Sequence, residues 1–197
     1  FNLHGAVPVS FEPVGMPSRP LRVLSVGRLE WKKGYEFALQ AVKRLLDEGI
    51  SVEYCVVGDG EYKNALYFAR RQLGLENQVS FLGAIPHELV LTQLAWADIF
   101  LHAAVSEGFC NAVLEAQAAG LPVVCSDADG LAENVTDGLT GFVVPRRSPS
   151  ALAEKIALLA QDASLRQSLG SEGRERVAQL FQLESHLSAW EDFYHQL

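Results

Sequence analysis

Cysteine is scarce in this sequence. Among 197 residues there are three, Cys55, Cys110 and Cys125. They are widely spaced and no CxxC pair occurs, so neither a disulfide framework nor a clustered zinc site is indicated. The scarcity suits a reducing, cytoplasmic setting. Long apolar runs are also missing. The most apolar stretch, Leu89 to Val105, is interrupted by Gln93, Asp98 and His102, which argues against a membrane span. Positive charge is short as well: 16 Lys and Arg stand against 24 Asp and Glu, for a net charge of −8. So acidic a chain is a poor binder of nucleic acid or anionic lipid through bulk charge. There is no early GxGxxG. Gly58-Asp59-Gly60-Glu61-Tyr62-Lys63 lacks the third glycine, which argues against a dinucleotide-dependent dehydrogenase. No secretory leader is visible and the first residue is Phe1, so the expectation is a fragment or processed piece.

Hydrophobic residues make up 49% and charged residues 20%, values that fit a folded domain with a real core. Residues 1–20 hold four of the eight prolines and read as a linker or irregular edge. From Leu21 short apolar runs alternate with helical patterns. Strands are expected at Leu21–Val26, Val52–Val57, Val79–Leu82, Ile99–Leu101, Val123–Cys125 and Phe142–Val144. Helices are expected after Gly34, from about Tyr62 to Leu73, from Pro86 to Trp96 and from Asn111 to Ala119. After Pro145 the strands cease. Helices follow at Ser148–Asp162 and Ser164–Phe181, and a last one, with Trp190, Phe193 and Tyr194, runs from Gln182 to Leu197. The alternation implies an α/β fold: a Rossmann-like, doubly wound parallel sheet with C-terminal helices.

Ligands of such sheets bind outside the carboxyl ends of the strands. The loops to inspect are therefore 27–34, 58–61, 83–86, 102–111 and 126–133. In the first, Arg28, Lys32 and Lys33 put three cations into six positions. Arg28 and Lys33 could converge on one phosphate, or pair at the surface with Glu30. In the fourth, Glu107 lies in the loop and Glu115 about one turn into a helix, on the order of 10 Å apart. The free N–H groups between them offer an anion site, although two acids at this spacing also occur on ordinary surfaces. Cys110 lies near that helix start, where a thiol pKa falls; a small-residue role is favoured over a nucleophile. The five histidines are scattered, and His102 reads as a core or loop residue.

The ordered set of motifs resembles one family. It comprises Gly27-Arg28-Leu29 with Lys32-Lys33-Gly34, Gly58-Asp59-Gly60, Val79-Ser80-Phe81-Leu82-Gly83, and Glu107-x7-Glu115. Ala118-Ala119-Gly120-Leu121-Pro122-Val123-Val124, Glu133, Gly138 and Thr140-Gly141-Phe142-Val143-Val144-Pro145 follow. From about Leu21 to Leu197 the chain resembles the C-terminal domain of retaining family 4 glycosyltransferases with the GT-B fold. The resemblance implies a nucleotide-sugar-binding domain over 21–197, with a UDP- or GDP-sugar as donor substrate and no metal or cofactor. It implies that Arg28 and Lys33 hold the diphosphate, that Glu107 contacts the transferred sugar and that Glu115 bonds the ribose. Gly27, Gly58, Gly60, Gly108, Phe109, Cys110 and Leu114 fall among the donor contacts, and Leu82 and Gly83 where the base docks. Arg28, Lys33 and Glu107 are the implied catalytic set. One departure is Asp129-Gly130, where the family commonly has Gly-Gly. The family's acceptor domain precedes this one, so the chain is expected to be the donor half and inactive alone, with at most peripheral membrane contact in the full enzyme. The implied process is bacterial polysaccharide or glycolipid synthesis. A non-catalytic nucleotide-sugar-binding module and a GT-B nucleotide-sugar epimerase are the alternatives.

Overall fold

The structure, a computed structural model, describes residues 19–180. The linker proposed for 1–20 lies almost wholly outside the described residues, as does the aromatic helix of 182–197. Six strands form one parallel sheet: β1 Leu21–Val26, β2 Val52–Val57, β3 Val79–Gly83, β4 Ile99–His102, β5 Val123–Ser126 and β6 Gly141–Val144. Their order is β3-β2-β1-β4-β5-β6. Parallel neighbours require crossovers, and helices supply most of them. These are α1 Tyr35–Asp47, α2 Lys63–Gln72, α3 His87–Trp96, α4 Asn111–Ala118 and a short α5 Leu131–Asn134. Two further helices, α6 Pro149–Gln161 and α7 Ala163–Leu180, follow the sheet. Among these helices none is long and apolar enough to cross a membrane.

Period-two alternation splits the central strands between two cores. Leu21, Val23, Ile99, Leu101 and Val124 join one cluster with Leu39, Leu45, Ile156 and Leu159 of α1 and α6. Leu24, Phe100, Val123 and Cys125 join the other, with Leu94 and Val113 of α3 and α4. Both faces are covered, so β4 is buried at every position. Helix α1 follows from its sequence: Ala38, Leu39, Ala41, Val42 and Leu45 make one buried stripe. Helix α6 starts on the Ser148 hydroxyl, which accepts from the Ala151 N–H, with Pro149 in its first turn. At the bottom of the sheet Asp98 takes two hydrogen bonds from Arg19, at 2.7 and 2.8 Å, and one from the Arg22 N–H.

The strands and long helices agree with the sequence reading to within a residue or two. Two short elements are additional: a 3-10 turn at Trp31–Lys33 and α5. Neither is long enough to print a periodicity. The strand order reverses between β1 and β4, so their carboxyl-end loops flank the switch point where ligands of such sheets bind.

Candidate functional site

The loop after β1 runs from Gly27 through the 3-10 turn to Gly34. The loop after β4 runs from Ala103 to Cys110. The Val105 N–H donates to the Lys32 carbonyl at 2.7 Å and the Ser106 N–H to the same oxygen at 3.3 Å. Gly34 sits between the loops at φ 64°, and a Cβ there would lie 2.0 Å from the Ala103 carbonyl oxygen. Only a glycine allows this approach.

The loops bring Lys33 onto Glu107. Their ion pair is largely buried, with side-chain exposures of 14% and 12%. The same Glu107 oxygen, Oε2, lies 2.9 Å from Nε2 of His102 at the end of β4. The Cys110 sulfur lies 3.6 Å from that nitrogen. Burial penalises the Glu107 charge, but hydrogen bonds from His102 and Lys33 outweigh it and pull the pKa to about 2. Burial likewise opposes a charged His102, and the bonds to Cys110 and Glu107 outweigh it, raising the pKa to about 9. Cys110 is buried, which raises its thiol, yet the His102 bond leaves it below its ordinary value. An imidazolium and an ammonium thus face a carboxylate and an acidified thiol in one small cluster.

Cys110 is also the residue that precedes α4. Its N–H donates to Asn134 Oδ1 at 3.1 Å, which ties α5 to the start of α4. A second brace holds the Glu107 loop from the β5 side. Asp129 Oδ2 accepts from the Ser106 hydroxyl at 2.8 Å and from the Glu107 N–H at 3.3 Å. The Gly130 N–H donates to the Glu107 carbonyl, and a Cβ on Gly130 would meet the Gly108 carbonyl at 1.7 Å. Arg146, after β6, contacts Asp129, Asp127 and the Val105 carbonyl.

At the same carboxyl end of the sheet an open cleft of about 350 Å³ lies across the ends of β1, β2 and β3. Gly27, Arg28, Gly58 and Asp59 line it together with Ala84, Ile85 and Val90. Gly27 and Gly58 are held by N–H bonds to the Val57 and Gly83 carbonyls. Gly60 packs against the Leu29 backbone rather than the cleft. Leu82 is exposed at the end of β3, beside Gly83. Gly108 and Phe109 are exposed at the tip of the β4 loop.

The sequence placed Arg28 and Lys33 on one anion or at the surface with Glu30. The two are engaged separately: Arg28 is 74% exposed and pairs with Glu30 at 2.7 Å, while Lys33 pairs with Glu107. Glu115 is half-buried on α4, facing His87; burial raises its pKa and His87 opposes the rise. Leu114 turns elsewhere. Its side chain is buried with Ala118 and Val177, in the seam between α4 and α7. Sequence reasoning gave no site role to His102 or Asp129, which it had named, and did not name Asn134 or Arg146. His102, a polar residue ending an apolar strand five positions before Glu107, was the one available signal. Arg146 lies 39 positions beyond Glu107, and no local pattern links them.

Residues 8–176 match the family described as Glycosyl transferases group 1. This chain belongs to that family. It is 34% identical over 175 residues to the putative colanic acid biosynthesis glycosyltransferase WcaL of Salmonella typhimurium, covering 85% of this chain and 43% of that protein. The chain thus spans about two fifths of the length of such relatives. Among solved structures, Anabaena Alr3699/HepE in complex with UDP-glucose superposes with a TM-score of 0.82 at 26% identity, over 91% of this chain and 50% of that one. The C-terminal domain of the group 1 protein LpcC from Francisella tularensis superposes at 0.74 and 24% identity, over 83% and 88%, and shares the fold. The group 1 domain is therefore a Rossmann-like GT-B domain of the C-terminal type, as its motifs suggested.

Proposed function

We propose that this group 1 domain binds a nucleotide diphosphate sugar, UDP- or GDP-linked, and supplies the donor side of a retaining glycosyl transfer. The observation that supports it most is the buried Lys33–Glu107 pair at the switch point, on the same β1 loop that supplies Gly27 and Arg28 to the cleft. An ammonium carries three donors, so holding Glu107 does not exhaust Lys33, and a diphosphate can share it. Arg28 lines the cleft on an exposed, mobile-length side chain and can exchange Glu30 for a phosphate. Negative charge builds on the departing diphosphate during transfer. Two cations and the α4 N-terminus aimed at that charge stabilise it electrostatically. Glu107, kept ionised by its partners, faces the sugar; Glu115 serves the ribose. The acceptor is taken by another part of a longer enzyme of bacterial polysaccharide assembly, working in the cytoplasm. The 197-residue chain alone binds donor and transfers nothing.

Titration calorimetry with UDP, UDP-glucose and GDP-mannose tests this. Arg28→Ala and Lys33→Ala should each weaken nucleotide binding by roughly tenfold or more, the value of a charge-assisted contact. Lys63→Ala, which removes a surface partner of Asp59, should change it little. Equal effects at all three positions contradict the site, and sugar transfer by this chain alone contradicts its role as a donor half.

A further inference from the structure

We infer that His102, Glu107 and Cys110 form a binding site for one thiophilic divalent cation, with Zn²⁺ the best match to the donor set. The three residues offer an imidazole nitrogen, a carboxylate oxygen and a sulfur, the ligand types that zinc takes. All three donor atoms lie within 4.8 Å of one another. Two of the three separations are known in detail: 3.6 Å from Nε2 to Sγ and 2.9 Å from Nε2 to Oε2. A tetrahedral zinc with ordinary bond lengths would set them at roughly 3.5 and 3.3 Å. One edge therefore already has the required length, and the other needs to open by less than half an ångström.

The scaffold suits the task. His102 ends a strand buried at every position, and Cys110 is pinned by Asn134 at the start of α4. Two of the three ligands thus sit on rigid elements, which keeps the cost of organising them low. Three protein ligands is also the number that leaves zinc an open fourth position. Two competitors are built in: the Lys33 ammonium occupies the carboxylate oxygen nearest His102, and the imidazolium must give up its proton before it can bind a cation. Cation and ammonium exclude one another at that atom. One consequence rests on the donor-binding reading above: a bound cation withdraws Glu107 from the sugar, so it opposes donor use.

Co²⁺ is the probe for the site, added to the reduced full chain while the thiolate-to-cobalt charge-transfer band and the visible d–d bands are followed. The expected result is one tetrahedral Co²⁺ per chain with a thiolate band, displaced by one equivalent of Zn²⁺. Cys110→Ser should abolish the band, and His102→Ala should weaken binding at least tenfold, the scale seen for perturbed metal sites. Cys55→Ser, remote in the sheet, should leave both unchanged. Lys33→Met should tighten Co²⁺ binding severalfold by removing the competing ammonium. Absence of a thiolate band in the wild-type chain overturns the proposal whatever the variants do. So does a band that survives Cys110→Ser or disappears with Cys55→Ser. A separate titration of UDP-glucose with and without Zn²⁺ tests the consequence: unchanged donor affinity beside an intact cobalt band removes the inhibitory role and leaves the metal site standing.

Discussion

Replacing Gly34 by alanine should separate the two loops that carry Lys33 and Glu107. The residue has φ 64°, a left-handed backbone that costs an L side chain about 1–2 kcal/mol. The added Cβ would also sit 2.0 Å from the Ala103 carbonyl oxygen, and real Cβ contacts do not go below 3.0 Å. The loops must part by at least an ångström. That shift breaks or stretches the two bonds that the Lys32 carbonyl accepts, each worth about 0.5–1.5 kcal/mol. The variant should lose about 2–5 kcal/mol in all. Gly49→Ala provides the control. Gly49 is also left-handed, at φ 81°, but a Cβ there meets nothing within 4 Å, so only the backbone cost of about 1–2 kcal/mol applies. Urea unfolding of both variants measures the difference, with unchanged m-values showing that stability alone has moved. For a chain of this size 1 kcal/mol shifts Tm by roughly 2–4 °C, so Gly34→Ala should melt on the order of 10 °C lower and Gly49→Ala a few degrees lower. Equal destabilisation of the two would refute the argument that the loops touch at Gly34.

Acid and alkali should act on the site through different residues. Glu107, held at about 2, contributes stability above its ordinary pKa of 4.5 and loses it as the pH falls from there toward 2. His102, held at about 9, contributes fully below its ordinary 6.5 and loses that contribution as the pH rises from 6.5 through 9. Unfolding midpoints at pH 6 and pH 9 in EDTA should therefore drop more for the wild type than for His102→Asn; identical drops exclude a charged histidine. Phe100→Ala, in the centre of the sheet and fully buried, should cost about 3–5 kcal/mol by denaturation, and a loss below about 1 kcal/mol would show that the core there can collapse. Asp129→Ala should leave the unfolding midpoint nearly unchanged but speed amide hydrogen exchange at Ser106, Glu107 and Gly108. Unaltered exchange would mean that Arg146 and the Gly130 bond hold the loop unaided.

The fold was legible because its central strands are buried on both faces and helices such as α1 are amphipathic. A run such as Ile99-Phe100-Leu101 carries the first pattern, and the Ala38–Leu45 stripe carries the second. Elements shorter than a turn or so, such as Leu131–Asn134, leave no such imprint. The candidate site was legible in position, since glycines and charges concentrate where strands end. Its internal wiring was not. That Lys33 meets Glu107, 74 positions away, follows from β1 and β4 being neighbours, and the sequence does not state strand order. His102 looked ordinary because one histidine on an apolar strand usually is; only the return of the chain at Cys110 and Glu107 gives it partners. Leu114 is a further case: its motif position beside Glu115 does not reveal that its side chain is buried with Ala118 and Val177.

The strand order has a further consequence during synthesis. Strands β1 to β3 are made first and can pair among themselves, but β1 then has one bare edge until β4 emerges. That edge carries Val23 and Leu24, which in the finished sheet pair with Ile99 and Phe100. An unpaired apolar strand edge is a template for association with other chains. Arrival of β4 covers that edge and brings Glu107 toward Lys33, and the bare edge passes to β4 until β5 pairs with it.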